Sequence, residues 1–287
     1  MAKKKSKHKA LSQAVIVAQH QNRYIEKIRH ICQACGSPQA FSFIARPALE
    51  RLFRTRMLPF AIFPAPGEVI PERELKDCRI LLFDQVKTQA MPLFEGGPAM
   101  PLDDCLGVAY NFHHYLRNLG DGECPHAAEV KKGLALFIES DLVERALVRL
   151  SLALWTASLF VSDYRTRVLW LTVEFDCIPG DTNVQRLLYV HSLEPERIRT
   201  AFDGSARPAH RVCWAFGTTG LSCVEVKPSD LGSGGSFAAL PHPAYIQSHA
   251  LQRLAERMDG VQPGLLHYFV FMSLYNPRAV ATAGAAT

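Results

Sequence analysis

Arg167-Val168-Leu169-Trp170-Leu171-Thr172-Val173-Glu174-Phe175 is where the chain changes texture. Branched and aromatic side chains suit a pleated, half-buried surface, so a strand is expected here. Ile178-Pro179-Gly180-Asp181 turns the chain, and Gln185 to Ser192 reads as its partner. Arg211-Val212-Cys213-Trp214-Ala215-Phe216 and Leu221-Ser222-Cys223-Val224-Glu225-Val226-Lys227 flank Gly217-Thr218-Thr219-Gly220, the signal of a hairpin with a four-residue loop. Four strands in two hairpins imply a mainly antiparallel sheet, one face of which helices can cover. The expected class is therefore α+β, with a helical N-terminal layer, a four-stranded mainly antiparallel sheet and a C-terminal helix pair.

Working back from that stretch, residues 11–34 carry Ile16, Tyr24, Ile28 and Ile31 among charged neighbours, the pattern of a half-buried helix ended by Gly36-Ser37-Pro38. Pro47 starts a short helix through Phe53 that stops by Pro59. Pro59 to Pro101 is rich in breakers, and Arg79 to Phe83 reads either as a buried strand or as the end of a helix begun near Glu72. Asp103 or Asp104 opens a helix through Leu116, closed by Gly120-Asp121-Gly122. Ala127 to Ile138 and Asp141 to Val161 supply two more. Beyond the strands, a polar segment holds Pro195 and Pro208, and Leu231-Gly232-Ser233-Gly234-Gly235-Ser236 has linker composition. Two helices follow, Ser248 to Met258 and Pro263 to Met272, the second halted by Asn276-Pro277. The expected organisation is a basic disordered tail (1–10), a mainly helical region (11–162), a sheet region (163–228), a linker (229–245), a helix pair (246–277) and a second disordered tail (278–287).

The 287 residues carry a formal charge of +5, and Lys3, Lys4, Lys5, Lys7 and Lys9 account for all of it. The rest of the chain balances to zero. It is not a uniformly basic nucleic-acid binder, and long-range attraction to RNA, DNA or anionic lipid falls to the lysine arm. Leu150 to Val161 is twelve residues long, short of the roughly 20 that a bilayer span needs, so no membrane partner is expected. Eight scattered cysteines read as reduced core thiols and favour a cytoplasmic location. Cys32-Gln33-Ala34-Cys35 sits at a helix C-terminus, whose carbonyl pole opposes a thiolate, and it has no second close cysteine pair to complete a zinc site. His113 and His114 point in different directions on a helix, so at most one faces inward. No metal or cofactor is expected.

No Gly-rich nucleotide loop, Gly-x-Ser-x-Gly elbow or His-Glu-x-x-His helix is present, which removes the most recognisable enzyme classes. Ser248-His249-Ala250-Leu251-Gln252-Arg253-Leu254-Ala255-Glu256-Arg257-Met258 remains. Ser248 is placed to cap the helix, and Ala250, Leu251, Leu254, Ala255 and Met258 share one side. His249, Arg253 and Arg257 recur every fourth residue on another, rising about 6 Å each time, a spacing suited to neighbouring phosphates. The alternative is a solvated face in which Arg253 pairs with Glu256.

The pattern Ser248-His249-Ala250-x-x-Arg253-x-x-Glu256-Arg257 resembles the opening helix of small toxin ribonucleases of the RelE-like and barnase-like fold. In that family a curved sheet follows the helices, whereas here strands precede them. The resemblance implies metal-free RNA cleavage in which His249 shuttles a proton and Arg253 and Arg257 stabilise charge on the phosphate. Two other expectations stand beside it. One is a non-catalytic RNA- or DNA-binding accessory protein. The other is a protein–protein interaction scaffold using aromatics such as Tyr268, Phe269 and Phe271.

Overall fold

The computed structural model describes residues 13–163, 166–177, 184–202, 204–216, 220–227, 229, 239–258 and 260–275. The expected tails at 1–10 and 278–287 and most of the linker lie outside the described residues. The fold is α+β. Two compact units divide it, the first formed by 1–60, 86–149 and 175–186, the second by 61–85, 150–174 and 187–287.

In the first unit, α1 (Gln13–Ala34) buries Tyr24, Ile25, Ile28, Ile31 and Cys32 at helical spacing. It ends where Ser37 N–H reaches back to the Cys32 carbonyl and Gly36 N–H to that of Gln33, the paired bonds that close a helix around a left-handed residue. Prolines start α2 (Pro38–Phe43) and α3 (Arg46–Arg54), both of which pack on α1. The hairpin β2 (Ala90–Pro92) and β3 (Ala99–Pro101) leads into α5 (Leu102–Asp104), a π-helical turn (Cys105–Ala109) and α6 (Tyr110–Asn118). The expected single helix over 127–138 is broken at Leu134 into α7 (Ala127–Gly133) and α8 (Ala135–Ile138). Phe112 and Phe137, both fully buried, stack with centroids 5.9 Å apart at the centre of this layer.

The helix α4 (Glu72–Thr88) settles the ambiguity at 79–83 in favour of a helix, and α9 (Leu142–Val161) appears close to its expected bounds. Among the described residues no helix is long and apolar enough to cross a membrane. The strands depart further from expectation. The first hairpin forms as β4 (Val168–Cys177) and β5 (Val184–Leu193), but β5 also pairs with β1 (Met57–Pro64), giving the order β1-β5-β4. The prolines of β1 read as breakers in the sequence alone. As the edge of its sheet, β1 is a strand where prolines are tolerated.

In the second unit, β6 (Arg197–Phe202), β7 (Ser205–Arg211) and β12 (Tyr245–Gln247) make a separate antiparallel sheet of order β12-β7-β6. The short pairs β8 (Cys213–Phe216) with β9 (Gly220–Cys223), and β10 (Glu225–Val226) with β11 (His242–Pro243), complete the strands. The expected four-stranded sheet is thus replaced by sheets of two and three strands. Val212, Val224 and Ala244 join them through Val212 N to Ala244 O, Val224 N to Val212 O and Ala244 N to Val224 O. Around that junction Leu159, Trp214 and Phe271 form the core that α11 (Pro263–Tyr275) covers. Cys213 and Cys223 face each other across β8 and β9 and form a disulfide, which corrects the reading of all the cysteines as thiols. Cys32, Cys35, Cys78, Cys105 and Cys124 remain free.

Candidate functional site

The hairpin β6–β7 turns at Gly204 and sets Arg197 opposite His210, Ile198 opposite Ala209 and Arg199 opposite Pro208. On the other side of β7, Ile246 lies opposite His210 and Gln247 opposite Ala209. Opposed residues share a face and successive residues alternate, so Arg197, Arg199, His210 and Ile246 belong to one side of the sheet. Arg197 and Arg199 are both exposed there.

The helix α10 (Ser248–Arg257) leaves directly from β12. Its N-cap is Gln247, in extended conformation and without a side-chain cap bond. Ser248, expected as the cap, lies one residue too far on and instead bonds His210 Nε2 through Oγ at 2.8 Å. That bond fixes the start of α10 on the same face as Arg197 and Arg199. Strands sit about 4.8 Å apart, so β12 and β6 are separated by roughly 10 Å.

Along α10, Leu251 is buried and Leu254 half-buried, whereas Ala250, Ala255 and Met258, expected on the dry side, are exposed. His249, Arg253 and Arg257 are all exposed and recur on the outer side. Arg253, 61% exposed, donates from Nη1 to Glu256 Oε2 at 2.8 Å, and Gln252 Nε2 donates to the other carboxylate oxygen at 3.1 Å. The expected i to i+3 pair is therefore formed, in water and partly screened. Nearby, Glu196 accepts from the Tyr245 hydroxyl at 2.6 Å and from Arg211 Nη1 at 3.2 Å. These bonds, the Tyr245 hydroxyl first, hold its carboxyl below the usual carboxylate range. An apolar groove of roughly 630 Å³ runs beside α10, lined by Ile246, Leu254, Met258, Phe269, Val270 and Leu274. None of the three cationic residues of α10 lines it.

The remaining candidates take plainer roles. Lys3, Lys4, Lys5, Lys7 and Lys9 lie outside the described residues. His113 is buried, donates from Nε2 to the Ile138 carbonyl at 2.9 Å and is held neutral by burial, which lowers its pKa. His114 stays exposed beside Asn118. Burial pushes the Cys32 thiol up to about 12 and that of Cys35 up to about 11, the direction that suppresses thiolate chemistry. Among the described residues no group of three or more His, Cys, Asp or Glu side chains is placed to hold a metal ion. Of the aromatics expected at a partner surface, Phe269 is 49% exposed, while Phe271 is fully buried and Tyr268 packs against the core.

The sequence reading missed Arg197 and Arg199 because Pro195 and Pro208 marked that stretch as a loop. The overlooked signal was Asp203-Gly204, a favoured hairpin dipeptide between two alternating runs. No protein family, curated protein or solved structure matches the chain.

Proposed function

We propose that the protein binds the phosphate backbone of a nucleic acid, RNA foremost, without cleaving it, through α10 and the neighbouring strand β6. The observation that carries this reading is the exposed set His249, Arg253, Arg257, Arg197 and Arg199, brought to one side of the sheet by the Ser248–His210 bond. Guanidinium groups suit phosphate oxygens, and contacts of this kind position a strand without reading its bases. The lysine arm adds a diffuse attraction of the same sign.

Binding is favoured over the ribonuclease reading on the surroundings of His249. A metal-free transphosphorylation needs a second proton-transfer group beside the first. The nearest carboxylate on the helix, Glu256, stands seven residues further along, about 10 Å by helical rise, and is engaged by Gln252 and Arg253. The Ser248 hydroxyl is engaged by His210.

The test is binding of a fluorescent single-stranded RNA and of duplex DNA across a salt series, with RNA turnover followed in parallel for wild type and His249→Ala. Salt-sensitive binding without turnover is the expected result. Turnover lost in His249→Ala would restore the ribonuclease reading. Undetectable affinity at low salt would remove nucleic acid altogether and leave the apolar groove beside α10, with its exposed Phe269, as support for a protein partner. We propose a cytoplasmic location on Cys32, Cys35, Cys78, Cys105 and Cys124, free among the described residues, against which the Cys213–Cys223 disulfide stands. Thiol titration of protein isolated under alkylating conditions decides between them, an unmodified pair at 213 and 223 in cells overturning the location.

A further inference from the structure

Away from α10, the turn Ala65-Pro66-Gly67-Glu68 closes with Glu68 N–H on the Ala65 carbonyl at 2.9 Å, Pro66 and the positive-φ Gly67 filling its two central positions. The turn is tied to β5 by Ala65 N–H on the Val190 carbonyl, which sets Glu68 beside the end of that strand. There Glu68 Oε2 accepts from the backbone N–H and the hydroxyl of Ser192, so the carboxylate is held by two donors. Its other oxygen lies 3.6 Å from His191 Nδ1. On the far side of the ring, His191 Nε2 is 2.9 Å from Thr172 Oγ1 on β4. Trp170, two residues before Thr172 and on the same face, stacks on the imidazole at 5.0 Å with the planes 10° apart. The ring is thus held in plane by Trp170 and bonded at Nε2 to Thr172, with the Glu68 carboxylate facing Nδ1.

We propose that Thr172, His191 and Glu68 form a hydroxyl–imidazole–carboxylate relay that takes an acyl group from a carboxylic ester. The relay is reachable: the His191 and Glu68 side chains are 27% and 24% exposed, and Thr172 is half-buried. With Nδ1–H directed at Glu68, Nε2 is the acceptor for the Thr172 hydroxyl. As Thr172 Oγ1 bonds to the ester carbonyl carbon, His191 takes the hydroxyl proton. The carbon–oxygen bond to the alcohol then breaks, and the alcohol leaves with that proton. Water, deprotonated by His191, attacks the acyl-threonine and releases the carboxylic acid, returning the proton to Thr172. Thr172 and His191 are the catalytic residues, and Glu68 is a positioning residue acting through the ring.

The experiment uses the full chain with p-nitrophenyl acetate, following nitrophenol release and locating the acetyl group by peptide mass mapping. The expected result is acetyl on Thr172, lost in Thr172→Val, retained in Thr172→Ser, and formed at least about 100-fold more slowly in His191→Gln. Glu68→Gln is expected to slow acylation and Glu68→Asp to restore part of it, which a purely structural carboxylate would not do. Thermal melting of each variant separates misfolding from lost chemistry. Acetyl confined to lysines in the wild type, or an acylation rate unchanged in the well-folded Thr172→Val, overturns the proposal.

Discussion

The His267 imidazole is fully buried, its Nε2 donating to the Cys213 carbonyl at 3.0 Å and its ring stacked near Trp214. Burial, above all, lowers its pKa to about 3, so the folded protein keeps it neutral while an unfolded chain protonates it near the usual value. Below pH 6.5 the unfolded state therefore holds the extra proton, and stability drains away as pH falls towards 3, by on the order of 1.4 kcal/mol for each unit. Denaturant midpoints measured from pH 7 to pH 4 should show that decline, flattened in His267→Gln. Gly264 makes a different demand, because a Cβ there would stand 1.9 Å from the Leu159 carbonyl oxygen and 2.8 Å from that of Ser162. The obstruction is backbone at the end of α9, which does not yield as a side chain does. Gly264→Ala should cost about 3 kcal/mol, at the upper end of overpacking effects, read as a lowered melting temperature. In the first unit Arg186, 2% exposed, donates to the Leu58 carbonyl and to Asp103, and lies over the Phe60 ring at 4.2 Å. Arg186→Ala should cost about 3 kcal/mol in urea unfolding, near the low end for a broken buried pair, since Asp103 keeps some access to water.

At the level of elements, two details mark the start of α10. It leaves β12 without a capping side chain, and the hydroxyl expected to cap it holds His210 instead. Charge reversal at Arg253 and Arg257 should weaken nucleic-acid binding uniformly across sequences. It should also flatten the salt dependence by about 0.7 to 0.9 in slope for each phosphate no longer neutralised, measured by fluorescence anisotropy. Elements with a sustained period were legible in the sequence. The 3.6-residue pattern of Tyr24, Ile28 and Ile31 located α1, and the dense apolar run through Val161 located α9. The branched and aromatic composition of Val168 to Phe175 likewise located β4. What escaped was set by pairing over distance. The strand β1 exists because β5 offers it an edge, β7 carries Pro208, which locally disfavours a strand, and β12 is only three residues long. His249, Arg253 and Arg257 could be named from helical spacing alone. Their companions Arg197 and Arg199 depended on a cross-strand register whose one local sign was the Asp203-Gly204 turn dipeptide.

Over the whole molecule, the charge excess belongs to the first ten residues, and the proposed phosphate contacts belong to α10 and β6. Removing residues 1–10 should therefore lower nucleic-acid affinity and its salt slope together, by anisotropy on both forms. The division into two units carries a cost during synthesis. The chain passes from one unit to the other at Phe60, Gln85, Arg149, Glu174 and Arg186, so neither corresponds to a contiguous stretch of gene. On the ribosome the earlier unit waits for Arg186 to emerge before its last piece arrives, and by then partner segments of the later unit are already outside the exit tunnel. Expressing either half as a simple fragment would strand apolar faces of α9 and β5, and nascent chains held at that stage are natural clients for a chaperone.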